Sequence, residues 1–531
     1  MKAFFSRYKR ICLSTALTVF FCYFYLMVDG YGGPDATAEG VHFYRNADWA
    51  TRCGRWMIRY LNELIGKNTV IPFIIVLLYG AMIAVSVMLL CDMLALRNPS
   101  VQVLLSAAMI SFPVVTDQFA YLYIATCYSF SFLTVTAGFW FLRRQTALSY
   151  AAGCLCFLLM LGSFQAYIGA LAALGLLLLL NDLLREGRVK SALLSLGHAI
   201  LASAIACVLN FAVIRLMLDH YHTTAEDRVS SFSVSAIFEN LGFSLKYAYA
   251  WFFLPFDQAN VLFRKKLYLL FFLLLCIAIG LTVVSLLKKE TKKKRNLPLL
   301  LLFLTALVLL PLAMNVCVIL FPANGIYCVM QYHYVLIFPL FFLLCDHVEK
   351  DIFLLPFGDR KKDRLGKKPG RLLRLGGSGI LFVLICTWTL TAQSTWILNR
   401  LIYRHTIQQA TLMIGKVYDL DGFRYHETPV VLGGNIDYSD LRNHYALLFQ
   451  YARIPAGPVL WPAENGMAKD RYYFFMEYMG FDAGQLSREE YKAIVNSPEF
   501  YEMPVWPEKG SVAMIGGYAV IKNCAVAPGA E

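Results

Sequence analysis

Long apolar runs separated by short polar or basic turns fill the chain as far as Leu398. They lie at Ile11–Val28, Val70–Leu94, Val101–Val115, Phe119–Leu142, Leu148–Leu161, Tyr167–Leu180, Ala192–Leu218, Leu267–Leu287, Leu297–Phe321, Cys328–Leu344 and Ser378–Leu398. Several reach the ~20 residues that a helix needs to cross a hydrocarbon layer of ~30 Å. The pattern predicts an α-helical polytopic membrane protein with about 11 transmembrane helices. Lys2, Arg7, Lys9 and Arg10 precede the first run. That run is longer than a signal-peptide core and lacks a small-x-small cleavage site, so it reads as a retained helix. Its basic flank places the N-terminus inside, and eleven crossings then leave the C-terminus outside.

Three stretches outside the apolar runs are large: residues 29–68, 219–266 and the tail 399–531. Within the first, Trp49–Ile65 mixes large apolar residues with Arg52, Arg55 and Arg59, the pattern of an amphipathic helix lying at the membrane surface. Phe232–Leu254 looks similar. In the tail, Ile407–Tyr418 has helical periodicity, Pro429–Gly433 reads as a buried strand, and Leu486–Val495 reads as a helix started by Ser487. Ser511–Ile521 reads as two short strands around Gly516–Gly517. The expected organisation is a transmembrane domain over 1–398 and a small extracytoplasmic α/β domain over 399–531.

Composition strengthens the membrane reading. Apolar residues make up 58% of the 531 and charged residues 16%, against roughly 25% charged in ordinary soluble domains. The net charge of +13 is concentrated in short loops such as Lys288–Arg295 and Arg360–Arg374. That is the distribution of cytoplasmic loops, not a basic face on a folded domain, so nucleic acid is not expected as a partner. Most of the 14 cysteines lie within apolar runs and form no disulfide framework.

Candidate chemistry gathers in the first outer loop. Asp29, Asp35, Glu39 and Asp48 follow a membrane exit, and Arg52, Arg55 and Trp56 follow them. A carboxylate at the bilayer edge can take the proton of a hydroxyl nucleophile, and arginines can grip a phosphate in bidentate fashion. Together they suit transfer of a group from a lipid phosphate to a hydroxyl. The plainer alternative is a solvated loop whose charges meet lipid headgroups. Two turns expected on the same side add Asp117, Gln118, Ser163, Gln165 and Tyr167, and Arg215 lies near the outer end of its apolar run. The last of these suits either a snorkelling side chain or a phosphate ligand. Pro311 is expected to kink its helix. His220 and His222 beside Asp219 fall short of the three convergent ligands a metal site needs, so no metal or cofactor is expected.

The order of Ala38-Glu39-Gly40, Asp48-Trp49-Ala50 and Gly54-Arg55-Trp56 resembles the bacterial glucosyl transferase type-two family. Ser163-Phe164-Gln165-Ala166-Tyr167 and Cys328-Val329-Met330-Gln331-Tyr332-His333-Tyr334, opening a late helix, agree with it. The likeness spans about the first 350 residues. It implies a type-C glycosyltransferase fold that moves a sugar, glucose by the family's name, from a polyprenyl-phosphate carrier. The acceptor would be a cell-surface polysaccharide such as O-antigen, on the outer face of the bacterial cytoplasmic membrane. It further implies that Asp35 is the catalytic carboxylate, with Glu39 or Asp29 next in line, and that Arg55 belongs to the phosphate site. Arg52, Trp56, Asp117, Gln165, Tyr167 and Arg215 complete the candidate substrate-binding set. One departure stands out: where the family commonly has an Asp after the second outer turn, this chain has Cys127. A flippase or transporter for lipid-linked sugars, and a surface-glycan polymerase of the same fold, are the competing functions.

Overall fold

A computed structural model describes residues 2–30, 45–66, 70–226, 234–253, 264–290, 297–320, 328–351, 368–434, 436–453 and 469–523. Eight of the described helices are long and apolar enough to cross a membrane. They include Ser6–Asp29, Pro72–Met93, Leu122–Leu142 and Val189–His220. The pair Pro99–Ser111 and Pro113–Phe119, bent by 41°, makes a ninth if counted as one span. Ala147–Ser163 is shorter.

The surface of these helices inverts the soluble pattern. Leu13, Phe20 and Phe21 on the first helix are exposed, as are Val208, Phe211 and Leu216 on Val189–His220. Thr15, Ser106, Thr136 and Thr391 instead face inward, where most such hydroxyls bond to protein carbonyls. An apolar exterior of this extent is stable only against lipid. The first helix packs against Pro72–Met93, Pro99–Ser111 and the long helix Lys368–Tyr418. Leu122–Leu142 packs between Pro72–Met93 and Ala147–Ser163.

Three departures from the sequence pattern have local causes. The expected helix Trp49–Ile65 is two helices, Arg45–Arg52 and Trp56–Gly66, because Gly54 adopts a left-handed conformation with φ 73°. One face is packed on protein, with Cys53, Trp56, Ile58 and Leu61 buried, and the other leaves Tyr60 and Leu64 exposed. The apolar run from Cys328 begins as two 3₁₀ turns, Cys328–Met330 and Tyr332–Leu336, with α-helix only from Ile337. Its tyrosine hydroxyls are drawn to neighbouring segments: Tyr332 donates to the Met109 carbonyl at 2.9 Å and Tyr334 to Asn315 Oδ1 at 2.8 Å. The helix starting at Leu297 runs through Pro311 and breaks at Asn315, whose amide donates to the carbonyls of Pro311 and Ala248.

Lys368–Tyr418 is the organising element of the second half. At 1.5 Å per residue its 51 residues reach about 76 Å, more than twice a hydrocarbon layer. Leu381, Leu384, Trp388, Ala392 and Trp396 belong to the bundle core, whereas Tyr403, Ala410, Met413 and Val417 belong to a second core. That second core is closed by a three-stranded sheet of β1 (Val430–Gly433), β2 (Val512–Ile515) and β3 (Tyr518–Lys522), in the order β1-β3-β2. β1 runs parallel to β3, pairing Val430 with Ala519, and β2 pairs antiparallel through the Gly516–Gly517 turn. Both glycines have positive φ, as a two-residue hairpin requires. Helix Arg488–Val495 starts with a capping box formed by Ser487 and Glu490.

Candidate functional site

The turns singled out in the sequence meet at one end of the bundle. Gln165, in the 3₁₀ turn between Ala147–Ser163 and Ile168–Glu186, donates to the Cys53 carbonyl at 3.1 Å. This ties the first-loop helices to that 3₁₀ turn. Trp56 donates its indole N–H to buried Asn210 at 3.0 Å, and its ring lies directly over Gly162. A Cβ at position 162 would stand 2.3 Å from the Trp56 ring. Gly162→Ala must therefore push the indole off Asn210. The overpacking is expected to cost about 1–3 kcal/mol, read as a lower melting temperature of the purified protein in detergent.

With Trp56 fixed, Arg55 points along an aromatic wall. Its guanidinium carbon lies 4.6 Å from the Phe164 ring centre and 5.6 Å from that of Trp49. Its Nε is buried with no hydrogen-bond partner among the described residues. Phe164 meets Tyr128 edge-on at 4.8 Å and Tyr167 at 6.0 Å. Cys127, at the departure from the family pattern, is buried next in sequence to Tyr128, whose ring meets Phe164.

Beyond Tyr167 the polar chain continues. Gln118 is fully buried and donates to the Tyr167 hydroxyl and the Val329 carbonyl, both at 3.1 Å, while accepting from Tyr79 at 2.6 Å. Asp117, its neighbour in Pro113–Phe119, meets Arg453 from the tail: Nε lies 2.8 and 2.7 Å from the two carboxylate oxygens. The side chains are 4% and 1% exposed, so this ion pair is sealed within protein. The adjacent Arg453 backbone N–H donates to Thr395 of the long helix at 3.0 Å. Asp117, with both oxygens held by a guanidinium, is poorly placed to accept a substrate proton.

The remaining candidates lie elsewhere or are otherwise engaged. Asp29 pairs with Arg400 of the long helix at 3.3 Å. Arg52 is held by Glu226 at 3.1 Å and the Thr224 carbonyl at 3.2 Å, closing the loop after Val189–His220 onto the first-loop helix. Arg215 is exposed on Val189–His220. Asp35 and Glu39 lie outside the described residues. Among the described residues no group of three or more His, Cys, Asp or Glu side chains is arranged to hold a metal ion.

Sequence reasoning missed Arg453, Tyr79, Asn315 and Tyr334. No local signal marks Arg453, whose partner lies 336 positions away. The aromatic cluster at 332–334 was noticed only as part of a family-like stretch, not as a hydrogen-bonding unit.

The spacing of these elements matches a known family. Residues 36–342, more than half the chain, match the family model described as Glucosyl transferase GtrII. The chain belongs to that family. No curated protein and no solved structure matches it. As a GtrII glucosyl transferase it is a membrane-embedded enzyme that works on a sugar donor and an acceptor. The matched span takes in Arg55, Asp117, Gln118, Gln165 and Tyr167 but ends before the long helix and Arg453. In this GtrII member, therefore, the tail reaches back into the family's own segment through the buried Arg453.

Proposed function

We propose that this enzyme transfers glucose from a polyprenyl-phosphate carrier to a hydroxyl of a cell-surface polysaccharide. The reaction would take place on the outer face of the bacterial cytoplasmic membrane. In this reading the chain crosses the membrane eleven times in a type-C glycosyltransferase arrangement. The N-terminus is inside and the domain 399–531 outside. The carrying observation is the convergence of Arg55, Gln165, Tyr167 and Gln118 at one bundle end, with Arg55 framed by aromatic rings. A cation held against Phe164 and Trp49, with an Nε still open, is suited to a phosphate oxygen at the edge of lipid.

The chemistry is a displacement at the sugar's anomeric carbon with inversion. The acceptor oxygen forms the new bond to that carbon as the bond to the carrier phosphate oxygen breaks. The hydroxyl proton goes to Asp35, with Glu39 as the nearest substitute, and the departing lipid phosphate takes the bonding pair. Arg55 stabilises the charge that develops on that phosphate, so no metal is needed for that task. Asp29 and Arg52, already engaged in ion pairs, act as braces for the first loop, not as reacting groups.

The test is sugar transfer by the purified protein in lipid, from a panel of radiolabelled polyprenyl-phosphate sugars to surface-glycan acceptors. Transfer of a single glucose from the glucosylated carrier is the expected result. A lengthened polymer would replace this reading with a polymerase. No transfer from any donor, with intact carrier binding, would replace it with a flippase.

A further inference from the structure

A second feature lies at the opposite end of the bundle, where the first helix starts and Pro72–Met93 ends. A cavity of about 430 Å³ is lined there by Arg7, Lys9, Arg10 and Arg97, with Asp92 and Gln102 deeper in. The volume falls within the ~300–1,000 Å³ of ordinary small-ligand sites. Four cations face a single carboxylate, and that carboxylate is already engaged. Asp92 accepts from the Tyr8 hydroxyl at 3.3 Å and from the Trp140 indole at 3.1 Å. None of the four cations has an ion-pair partner among the described residues.

The walls are preformed. Gln102 donates to the Leu96 carbonyl at 2.9 Å, and Asn98 caps Pro99–Ser111 by accepting from the Ser100 and Val101 amides. These bonds fix the loop that carries Arg97. The Asn98 cap also occupies the helix N-terminus, so any anion in the cavity must be held by the four side chains. The apolar span of the first helix begins at Ser6, and the next span ends at Met93. The cavity therefore opens at the level where lipid headgroups lie.

We propose that this cavity is a binding site for the phosphate of an anionic phospholipid headgroup. Four cations with no ion-pair partner among the described residues, around a preformed cavity at headgroup depth, select a phosphodiester whose headgroup adds no positive charge. A zwitterionic headgroup would bring its own ammonium among the arginines and lose that selection. The site joins the N-terminal turn to the loop at 94–98, so an occupied cavity clamps the first two spans together.

The full-length protein would be purified in neutral detergent and its melting temperature followed as phosphatidylglycerol or phosphatidylcholine is added. The comparison is between wild type, R10Q/R97Q and R188Q, the last an exposed cation outside the cavity lining. Phosphatidylglycerol should stabilise wild type and R188Q at concentrations at least tenfold lower than it stabilises R10Q/R97Q. Two lost headgroup-level cations predict a shift of at least this size. Inorganic phosphate without lipid forms a separate arm. If it alone gives the same variant-sensitive shift, the site stands with a soluble phosphate as its source. Equal stabilisation by both lipids, or an undiminished response of R10Q/R97Q to phosphatidylglycerol and phosphate, overturns the proposal.

Discussion

Arg453→Ala should destabilise the protein by about 3–5 kcal/mol, the cost of leaving one member of a buried ion pair without its counterion. Asp117 is 1% exposed, so water cannot replace the guanidinium that now spans both of its oxygens. Asp117→Asn should destabilise comparably, because it leaves the buried Arg453 guanidinium as the lone charge. The double variant Asp117→Asn/Arg453→Gln should recover much of the loss, since both charges leave together. A double-mutant cycle on melting temperature, with wild type, Asp117→Asn, Arg453→Gln and their double variant in the same detergent, reads this coupling directly. Additive effects of the two single changes would show that the ions do not depend on one another. The same variants carry a functional prediction. Since Asp117 adjoins Gln118, which holds Tyr167 and Val329, Arg453→Ala should also lower transfer activity at temperatures where the protein remains folded.

That ion pair also shows which parts of the molecule were legible in the sequence. The membrane class follows from long apolar runs, because only intrahelical hydrogen bonds satisfy a backbone in lipid. The hairpin at Gly516–Gly517 and the strand at 430–433 follow from turn chemistry and local pattern. These are local signals, and the structure follows them closely. The break at Gly54 was legible in principle, since a glycine between two apolar stretches marks a turn, but amphipathic spacing on both sides masked it. The 3₁₀ turns at 328–336 were not legible. They depend on the Met109 carbonyl and Asn315, partners that sequence does not place nearby.

The candidate site divides in the same way. Asp117, Gln165 and Tyr167 stand out as polar residues at two turns expected to share one membrane side, and the structure joins these turns through the Gln118–Tyr167 hydrogen bond. Arg52 and Asp29 fit the same description but are engaged by Glu226 and Arg400. Charge and position alone do not separate a ligand-binding group from a structural brace; the partner does. The long helix adds a feature that no apolar window reveals. Lys368–Tyr418 continues unbroken from the bundle core into the tail core, so one helix contributes to both. Arg400 on this helix pairs with Asp29, and Arg453, whose backbone N–H donates to Thr395 of the same helix, pairs with Asp117.

Asp35→Asn should reduce kcat for transfer by about 10²–10⁴, the usual contribution of a general base, with little change in the KM for the lipid-linked donor. The amide is nearly isosteric with the carboxylate but cannot take the acceptor's proton. Arg55→Lys should behave differently. Lysine keeps the charge but loses the planar face that rests on Phe164 and the forked donors that grip a phosphate. Both donor KM and kcat should therefore worsen, with kcat down by roughly 10²–10³ if Arg55 stabilises the leaving phosphate. Steady-state kinetics with the donor varied at saturating acceptor distinguishes the two patterns. An Asp35→Asn enzyme with wild-type kcat would remove that residue from the chemistry and move the role of base to Glu39. An Arg55→Lys enzyme with unchanged donor KM and kcat would show that the guanidinium only packs against the aromatic wall. Trp56, bonded to Asn210 beneath it, sets the control: Trp56→Phe keeps a ring over Gly162 but loses the indole donor. If Arg55 acts on the phosphate from a position that Trp56 fixes, this change should raise donor KM in the direction of Arg55→Lys while leaving Asp35-dependent proton transfer intact.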